Sequence, residues 1–267
     1  MTMDWPDYET LTATFDNGVA EITLNRPEFG NALNAQMAID LLDIADRVSE
    51  DRAVRAVLLT GAGKSFCFGG DIASFQAQGE DMARHLKDVT IPLHGAISRL
   101  TRMDPPLLVA VNGTAAGAGL SMALIGDLVL VAESAKFTMA YTRIGVAPDG
   151  SSSYFLPRVV GLRRAQEMIF TNRLLSADEA AEWGIATRVV ADADLLAEAR
   201  AQAAALAQGP TLAYGRVKAL LTSTFGAGLE TQMEFESLAI SGMAKTADGR
   251  EGIAAFLDKR SPAFKGE

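Results

Sequence analysis

The fold is decided by residues 106–128, which read PLLVAVNGTAAGAGLSMALIGDL. An apolar run of β type, Leu107 to Val111, ends at Asn112 and Gly113; a loop of Gly and Ala follows, and an apolar helical run begins at Leu120. A strand, a glycine-rich loop and a helix in this order leave free backbone N–H groups at the start of the helix, with no bulky side chains beside them. The stretch therefore predicts a site for an anion, or for an oxyanion that develops during a reaction.

A second glycine-rich loop has similar surroundings. The apolar strand pattern Ala56 to Thr60 leads into GAGKSFCFGGD, residues 61–71, and then into a helical pattern. Two such loops could each point an N–H group at one carbonyl oxygen, as in an oxyanion hole, although two tight turns would use the same residues. Neither loop fits a nucleotide-binding motif. A phosphate-binding loop needs Gly where Leu58 stands, and the glycines at 113, 117 and 119 do not have the G-x-G-x-x-G spacing.

Composition limits the class of protein. The chain has 267 residues, of which 49% are hydrophobic and 21% charged, the balance of a globular protein. Its net charge of −9 argues against a nucleic-acid partner, which would require a basic patch. A single Cys and two His argue against a disulfide and against a metal site. The N-terminus has no basic segment followed by an apolar one, and no uncharged apolar run reaches about 18 residues, so we expect a cytoplasmic protein with no membrane partner.

The periodicity of apolar residues predicts an α/β core followed by helices. A hairpin is expected over 9–24, and a helix after the N-cap residue Asn34. A helical pattern then runs to about Met103, although residues 76–88 are polar and are expected to be mobile. A capping box at Ser176–Glu179 predicts a further helix start. Helices in the last third are expected over 193–207, 211–221, 228–245 and 248–258.

Five segments resemble one family. They are SFCFGGDI (65–72), VNGTAAGAG (111–119), KFTMAYTRIGVAPDGSSSYFLPRVVG (136–161), LSADEAAEWGIATRVV (175–190) and REGIAAFLDKRSPAF (250–264). In order and spacing, from about residue 10 to residue 264, the chain resembles the crotonase (enoyl-CoA hydratase/isomerase) superfamily.

The resemblance implies an α/β fold, a crotonase-like spiral of ββα units with a helical C-terminal region. Residues 1–200 would form the spiral core, which binds acyl-CoA and holds the oxyanion hole. Residues 201–267 would cap the CoA and join subunits into a homotrimer or a dimer of trimers. The N–H groups of Gly70 and Ala118 would donate to the thioester oxygen. No cofactor is expected, because coenzyme A is part of the substrate.

Two positions depart from the hydratases of this superfamily. Hydratases carry a pair of Glu where this sequence has Ser121 and Tyr141. Adding water across a double bond needs two groups that exchange protons near neutral pH, and Ser and Tyr ordinarily titrate far above it. Ordinary hydratase activity is therefore not expected.

One carboxylate, Asp149, lies in a segment where isomerases of this superfamily carry an Asp or Glu. Pro148-Asp149-Gly150 is by itself a turn sequence. The resemblance to 3,2-trans-enoyl-CoA isomerases and ring-1,2-epoxyphenylacetyl-CoA isomerases instead makes Asp149 the acid and base of a double-bond isomerisation. An isomerase needs only one such group, which removes a proton from C2 and returns it to C4.

Two alternatives remain at this point. The same segment resembles hydrolytic 4-chlorobenzoyl-CoA dehalogenases, in which Asp149 would be a nucleophile and His94 would activate water. His94 could equally be a structural contact behind the carboxylate. The third hypothesis is a non-catalytic member of the superfamily that binds acyl-CoA.

Residues that would contact the substrate are carried over by position or by proximity to the loops. An apolar wall is expected from Phe68, Phe75, Tyr141 and Phe155. The phosphates of CoA need cations, which Arg26, Lys64 and Lys259 would supply. Each of these three side chains could equally be an ordinary exposed cation. The expected substrate-binding residues are Arg26, Lys64, Phe68, Gly69, Asp71, Ile72, Gly117, Ser121, Tyr141 and Lys259.

Overall fold

The computed structural model describes Met3 and residues 5–267. Its described strands form two sheets. The strands are β1 (Leu11–Asp16), β2 (Val19–Leu24), β3 (Ala56–Gly61), β4 (Ser65–Cys67), β5 (Leu107–Val111), β6 (Thr114–Ala116), β7 (Leu128–Ala132), β8 (Lys136–Thr138), β9 (Leu175–Ser176) and β10 (Arg188–Val190).

The larger sheet has the strand order β1-β2-β3-β5-β7-β10. β1 and β2 form the predicted antiparallel hairpin, and the other neighbours are parallel. Every residue of β3 and β5 is buried. Strands that bury both faces are typical of parallel sheets with covered surfaces, and this explains the unbroken apolar runs in the sequence.

The smaller sheet has the order β4-β6-β8-β9, and its first three strands are parallel. Three strands of the first sheet are each followed by a short strand of the second and then by helix: β3 by β4, β5 by β6, and β7 by β8. The predicted ββα spiral is therefore confirmed. These short strands were not predicted, because two or three residues are too few to show a periodic pattern.

Helices follow the sheets in chain order. They are α1 (Ala35–Glu50), α2 (Ile72–Gln76), α3 (Met82–Arg102), α4 (Ala118–Ala123), α5 (Ser152–Val160), α6 (Leu162–Thr171), α7 (Ala177–Glu182), α8 (Leu195–Ala207), α9 (Thr211–Ser223), α10 (Leu229–Met243) and α11 (Ala247–Leu257).

Two helix starts follow the sequence signals closely. The side chain of Asn34 accepts a hydrogen bond from Met37 N, which caps α1. Ser176 and Glu179 form a reciprocal capping box on α7. Both caps satisfy N–H groups that the first turn of a helix leaves without intrahelical partners.

Three further features of the helices bear on the expectations. The polar segment 76–88 contains a 3-10 turn at Gly79–Asp81 and the beginning of α3. α5 was not predicted, because it contains Pro157 and follows a Gly- and Ser-rich segment that favours a turn. Residue 200, the expected limit of the core, lies inside α8, which packs against β3 and β5. The division of the chain into two regions stays a prediction.

No helix in the described part of the chain has both the length and the hydropathy needed to span a membrane.

Candidate active site

The two glycine-rich loops lie side by side. β4 and β6 are adjacent and parallel, so the loops that follow them leave the sheet at the same edge. Gly69 (φ 92°) and Gly117 (φ 52°) have backbone conformations that favour glycine. A β-carbon on Gly69 would lie 2.8 Å from Ala116 O and 3.3 Å from Ala118 N, so only a glycine lets the loops approach this closely.

Both expected oxyanion donors lack a hydrogen-bond acceptor within the described part of the chain. Leu33 and Gly70 form an isolated parallel β-bridge. Leu33 N donates to Gly69 O and Asp71 N donates to Leu33 O, so Gly70 N takes no part in the bridge. Within the described residues, neither Gly70 N nor Ala118 N donates to a backbone carbonyl. Both residues line one cavity of about 260 Å³. α4 spans only six residues, so we attribute the anion preference of this site to its N–H groups rather than to a long helix dipole.

The cavity is apolar with two charged side chains. Among the described residues that line it, Asp149 is the single carboxylate and Arg143 the single cation. Its walls come from three places: the oxyanion loops, the face of α3 and the segment after β8. The apolar and aromatic members are Leu33, Phe68, Ile72, Phe75, Leu86, Val89, Leu93, Tyr141, Ile144 and Val146.

Three of the four residues expected to form the apolar wall line the cavity, and one does not. Phe68, Phe75 and Tyr141 line the cavity. Phe155 instead lies in a separate groove with Tyr154, because α5 turns it towards α4 and α9. The sequence analysis did not predict that residues of α3 and the cation Arg143 would line the cavity. The apolar spacing in α3 was visible in the sequence, but nothing in it indicated which cavity that face would meet.

Tyr141 holds the side chain of Asp149. The phenol O–H of Tyr141 donates to Asp149 Oδ1 at 2.6 Å. The main-chain carbonyl of Asp149 accepts hydrogen bonds from Ser152 N and Ser152 Oγ, which anchors the backbone at the start of α5. Burial raises the pKa of Tyr141, and the charge of Asp149 raises it further. The phenol therefore stays protonated at neutral pH and acts as a donor.

The backbone on both sides of this pair is strained. Ala140, before Tyr141, has φ 54°, and Ser151, after Asp149, has φ 65°. Left-handed backbone at residues other than Gly costs on the order of 1–3 kcal/mol and persists where the surroundings fix it. Pro148-Asp149-Gly150 is thus more than a surface turn, since its carboxylate bonds to Tyr141 and lines the cavity.

His94 is close to Asp149 but already has a partner. His94 Nε2 lies 3.7 Å from Asp149 Oδ2. Gly150 N also donates to His94 Nε2, at 3.2 Å. A backbone amide can only donate, so Nε2 carries no proton in this arrangement and its lone pair is occupied. The geometry favours the structural contact over the water-activating base.

Arg26 and Asp71, both expected to bind substrate, bind each other. Arg26 Nη2 lies 3.1 Å from Asp71 Oδ2, and both side chains are largely buried. Arg26 also donates to Ala32 O and stacks on Phe29, while Asp71 caps α2 through Ser74 N. In this structure the pair ties the first loop to the segment before α1. Direct contact of either residue with CoA stays a prediction.

The other expected contacts divide into three groups. Gly69 and Ser121 are buried and do not line the cavity. Phe68, Ile72 and Gly117 line the cavity, and the first two are about half exposed at its rim. Lys64, in the turn before β4, and Lys259, after α11, are exposed and do not line it. A role for these two lysines in holding CoA stays a prediction.

Cys67 packs beneath the first loop. It is fully buried, and its sulfur accepts a hydrogen bond from Gly69 N. Burial raises the pKa of the thiol to about 12. The thiol is therefore protonated at neutral pH and supports the loop.

The sequence matches the enoyl-CoA hydratase/isomerase family over residues 14–267. The chain belongs to this family. The resemblance stated from the five segments is confirmed. The fold agrees as well: the crystal structure of an enoyl-CoA hydratase from Polaromonas sp. superposes with a TM-score of 0.91 at 31% identity, covering 95% of this chain and 99% of that one.

Similar family members carry names for different reactions. The chain is 40% identical over 259 residues to a Rhodobacter capsulatus protein named "Probable enoyl-CoA hydratase", covering 97% of this chain and 99% of the other. It is 38% identical over 263 residues to the 1,2-epoxyphenylacetyl-CoA isomerase of Escherichia coli, with coverage of 97% and 99%. It is 37% identical over 250 residues to 4-chlorobenzoyl coenzyme A dehalogenase-2 of Arthrobacter sp., with coverage of 93% and 91%. Family membership therefore does not select the reaction.

Proposed function

We propose that the protein is an acyl-CoA isomerase that moves a carbon–carbon double bond, with Asp149 as its acid and base. The observation that carries the proposal is the composition of the cavity. Asp149 is the single carboxylate among its described lining residues, and it shares the cavity with Gly70 and Ala118, whose N–H groups are free. One carboxylate and an oxyanion hole suffice for a proton shift, whereas hydration calls for a second acid–base group.

The reaction is a balanced transfer of one proton. Asp149 takes the proton from C2 of a 3-enoyl thioester, and the electron pair of the C–H bond moves into the C1–C2 bond while the thioester oxygen becomes negative. Gly70 N and Ala118 N donate to that oxygen and stabilise the dienolate. The C3–C4 double bond then breaks as its electron pair takes the proton from Asp149 at C4, the C1–C2 pair moves to form the C2–C3 double bond, and the thioester carbonyl is restored. No cofactor beyond the CoA of the substrate takes part.

The decisive experiment measures turnover of purified protein with 3-enoyl-CoA, 2-enoyl-CoA and 4-chlorobenzoyl-CoA. We expect isomerisation of 3-enoyl-CoA, and a fall of about 10²- to 10⁴-fold in Asp149→Asn, because that variant loses the acid–base group. Asp178→Asn, at an exposed position on α7, is the matched control. Isomerase activity that survives Asp149→Asn would overturn the mechanism.

A second candidate is hydrolytic substitution, favoured by the 3.7 Å separation of His94 Nε2 and Asp149 Oδ2. Asp149 would displace chloride from the aromatic ring and form an aryl ester, which water activated by His94 would hydrolyse. For that step His94 must release the N–H of Gly150. Dehalogenation that disappears in His94→Ala would favour this candidate. Tight acyl-CoA binding without any turnover would instead favour a binding protein.

We also propose that copies of the chain associate through α9, α10 and α11. These consecutive helices leave many large apolar side chains exposed, among them Leu221, Phe225, Leu229, Ile240 and Phe256. Exposed apolar clusters of this kind mark interfaces. A homotrimer or a dimer of trimers is expected by light scattering, and a monomer at micromolar concentration would refute the association.

A further inference from the structure

A hydrogen-bonded chain connects one oxyanion loop to Asp149. Ser121 is fully buried on α4, three residues after Ala118. Ser121 Oγ lies 3.2 Å from Tyr141 Oη, and Tyr141 Oη lies 2.6 Å from Asp149 Oδ1. The turn that carries the carboxylate packs directly on this serine, since a β-carbon on Gly150 would lie 2.9 Å from Ser121 Cβ.

Counting protons fixes the direction of these bonds. An ionised carboxylate can only accept, so the single hydroxyl proton of Tyr141 points to Asp149. Tyr141 Oη can then only accept from Ser121. Ser121 Oγ has two other oxygen neighbours, Gly117 O at 3.2 Å and Asp149 O at 3.1 Å.

Both competing acceptors have donors of their own. Gly117 O accepts from Ser121 N at 3.0 Å. Asp149 O accepts from Ser152 Oγ at 2.8 Å and from Ser152 N at 3.1 Å. Ser121 Oγ therefore donates its proton to Tyr141 Oη, which has no other donor among the described hydrogen bonds.

The two oxygens of Asp149 have different surroundings. Oδ1 receives the phenol proton, whereas Oδ2 faces His94 Nε2, which carries no proton in this arrangement. The remaining charged group that lines the cavity is Arg143, which is exposed. Oδ2 is thus the oxygen left to exchange a proton with substrate.

We propose that Ser121 and Tyr141 act as a positioning pair that fixes the rotation of the Asp149 carboxylate, so that Oδ1 is held and Oδ2 transfers the proton. The inference rests on the proposed function of Asp149. It gives a role to the two positions at which this chain lacks the glutamates of the hydratases. It also couples the base to the loop of Ala118, because Ser121 is part of the same short helix.

The test is a double-mutant cycle in kcat and KM with 3-enoyl-CoA as the substrate. Tyr141→Phe removes only the hydroxyl, and we expect kcat to fall by about 10- to 100-fold with KM changed by less than about twofold, as for loss of a hydrogen bond to a charged group. Ser121→Ala should lower kcat by about 3- to 10-fold. The double variant should match Tyr141→Phe alone, because Ser121 acts through Tyr141. Tyr154→Phe, whose ring stacks on Arg158 outside the cavity, is the control.

A second readout follows the proton itself. In D₂O, product from Tyr141→Phe should carry more solvent deuterium at C4 than wild-type product, because a carboxylate free to rotate exposes its proton to exchange. Ser121→Ala should also raise the deuterium fraction at C4. This variant allows the same measurement if Tyr141→Phe does not fold.

The outcomes separate the two proposals. The positioning pair would be overturned if Tyr141→Phe kept the wild-type kcat and deuterium fraction. It would also be overturned if the effects of Tyr141→Phe and Ser121→Ala on kcat were fully additive. Either result would count even if Asp149→Asn is inactive. Full activity in Asp149→Asn would overturn the proposed function itself.

Discussion

Gly119 in the second loop packs against the carbonyl oxygen of Cys67 in the first. A β-carbon on Gly119 would lie 2.1 Å from Cys67 O and 2.8 Å from Cys67 Cβ. The contact joins the start of α4 to the strand that leads into Gly69 and Gly70. The spacing of the two expected oxyanion donors therefore depends on the absence of a side chain at one position.

Gly119→Ala tests this contact. Because the opposing atom is a backbone oxygen, one of the loops must shift, and we expect the free energy of unfolding to fall by about 1–3 kcal/mol. kcat/KM should fall as well, since oxyanion donors work only at short and fixed distances. Urea unfolding and steady-state kinetics measure the two effects. Gly226→Ala is the matched control, because its β-carbon would meet only Ser223 O at 3.9 Å, and equal behaviour of the two variants would refute the prediction.

An ion pair between a buried lysine and a partly exposed aspartate ties α9 to the core. Lys218 is 8% exposed and the Asp127 side chain 30%; Lys218 Nζ lies 2.9 Å from Asp127 Oδ2 and donates to Leu100 O and Pro105 O. Lys218→Met leaves two carbonyls without this donor, while water can solvate Asp127, so the free energy of unfolding should fall by about 1–3 kcal/mol. Urea unfolding of Lys218→Met beside Lys245→Met, at an exposed site, checks this. A loss below about 0.5 kcal/mol would show that the pair contributes little.

The protonation of Tyr141 depends on its neighbour. Burial is the largest cause of its raised pKa, followed by the charge of Asp149 and their hydrogen bond. Asp149→Asn removes the charge but keeps the burial. The pKa of Tyr141 should therefore fall in this variant and still exceed the ordinary value of about 10. Phenolate absorbance during alkaline titration, with Tyr141→Phe as the blank, gives the value. An unchanged titration would mean that the carboxylate does not contact the phenol in solution.

Much of the fold could be predicted from local pattern. β3 and β5 are buried on both faces, so their sequence is apolar except at Thr60, and the caps at Asn34 and Ser176 have side chains that accept hydrogen bonds from the first turn of a helix. The second sheet could not be predicted in the same way. Its strands have only two or three residues, and parallel pairing with distant segments stabilises them.

The sequence indicated which residues would form the site, but not which of them contact each other. The glycine-rich loops could be named from their own sequence, whereas the roles of Gly70, Ala118 and Asp149 came from the resemblance to the superfamily. The contact of Tyr141 with Asp149 depends on left-handed backbone at Ala140 and Ser151, which those residue types do not signal. The pairing of Arg26 with Asp71 was also hidden, since two charges 45 residues apart show nothing of their distance in space.

The C-terminal segment should loosen in acid. Glu251 accepts hydrogen bonds from Arg260 and from Ala263 N, and these contacts, with Arg260 the larger cause, lower its pKa from 4.5 to about 2. A carboxylate with a lowered pKa in the folded state stabilises that state fully above the unfolded value, and the stabilisation is lost as the pH falls from about 4.5 through about 2. The protection factor of the Ala263 amide against hydrogen exchange should therefore fall over this range.

Glu251→Gln separates this ion pair from general acid unfolding. The variant cannot ionise at this position, so the protection factor of the Ala263 amide should already be lower at neutral pH, and its dependence on pH between about 4.5 and 2 should be weaker than in the wild-type protein. Glu236→Gln, an exposed position on α10, should behave as the wild-type protein does. If Glu251→Gln and the wild-type protein gave the same exchange profile, the bonds to Glu251 would not hold the segment, and the contacts of Asp248 with Lys265 N and Gly266 N would hold it instead.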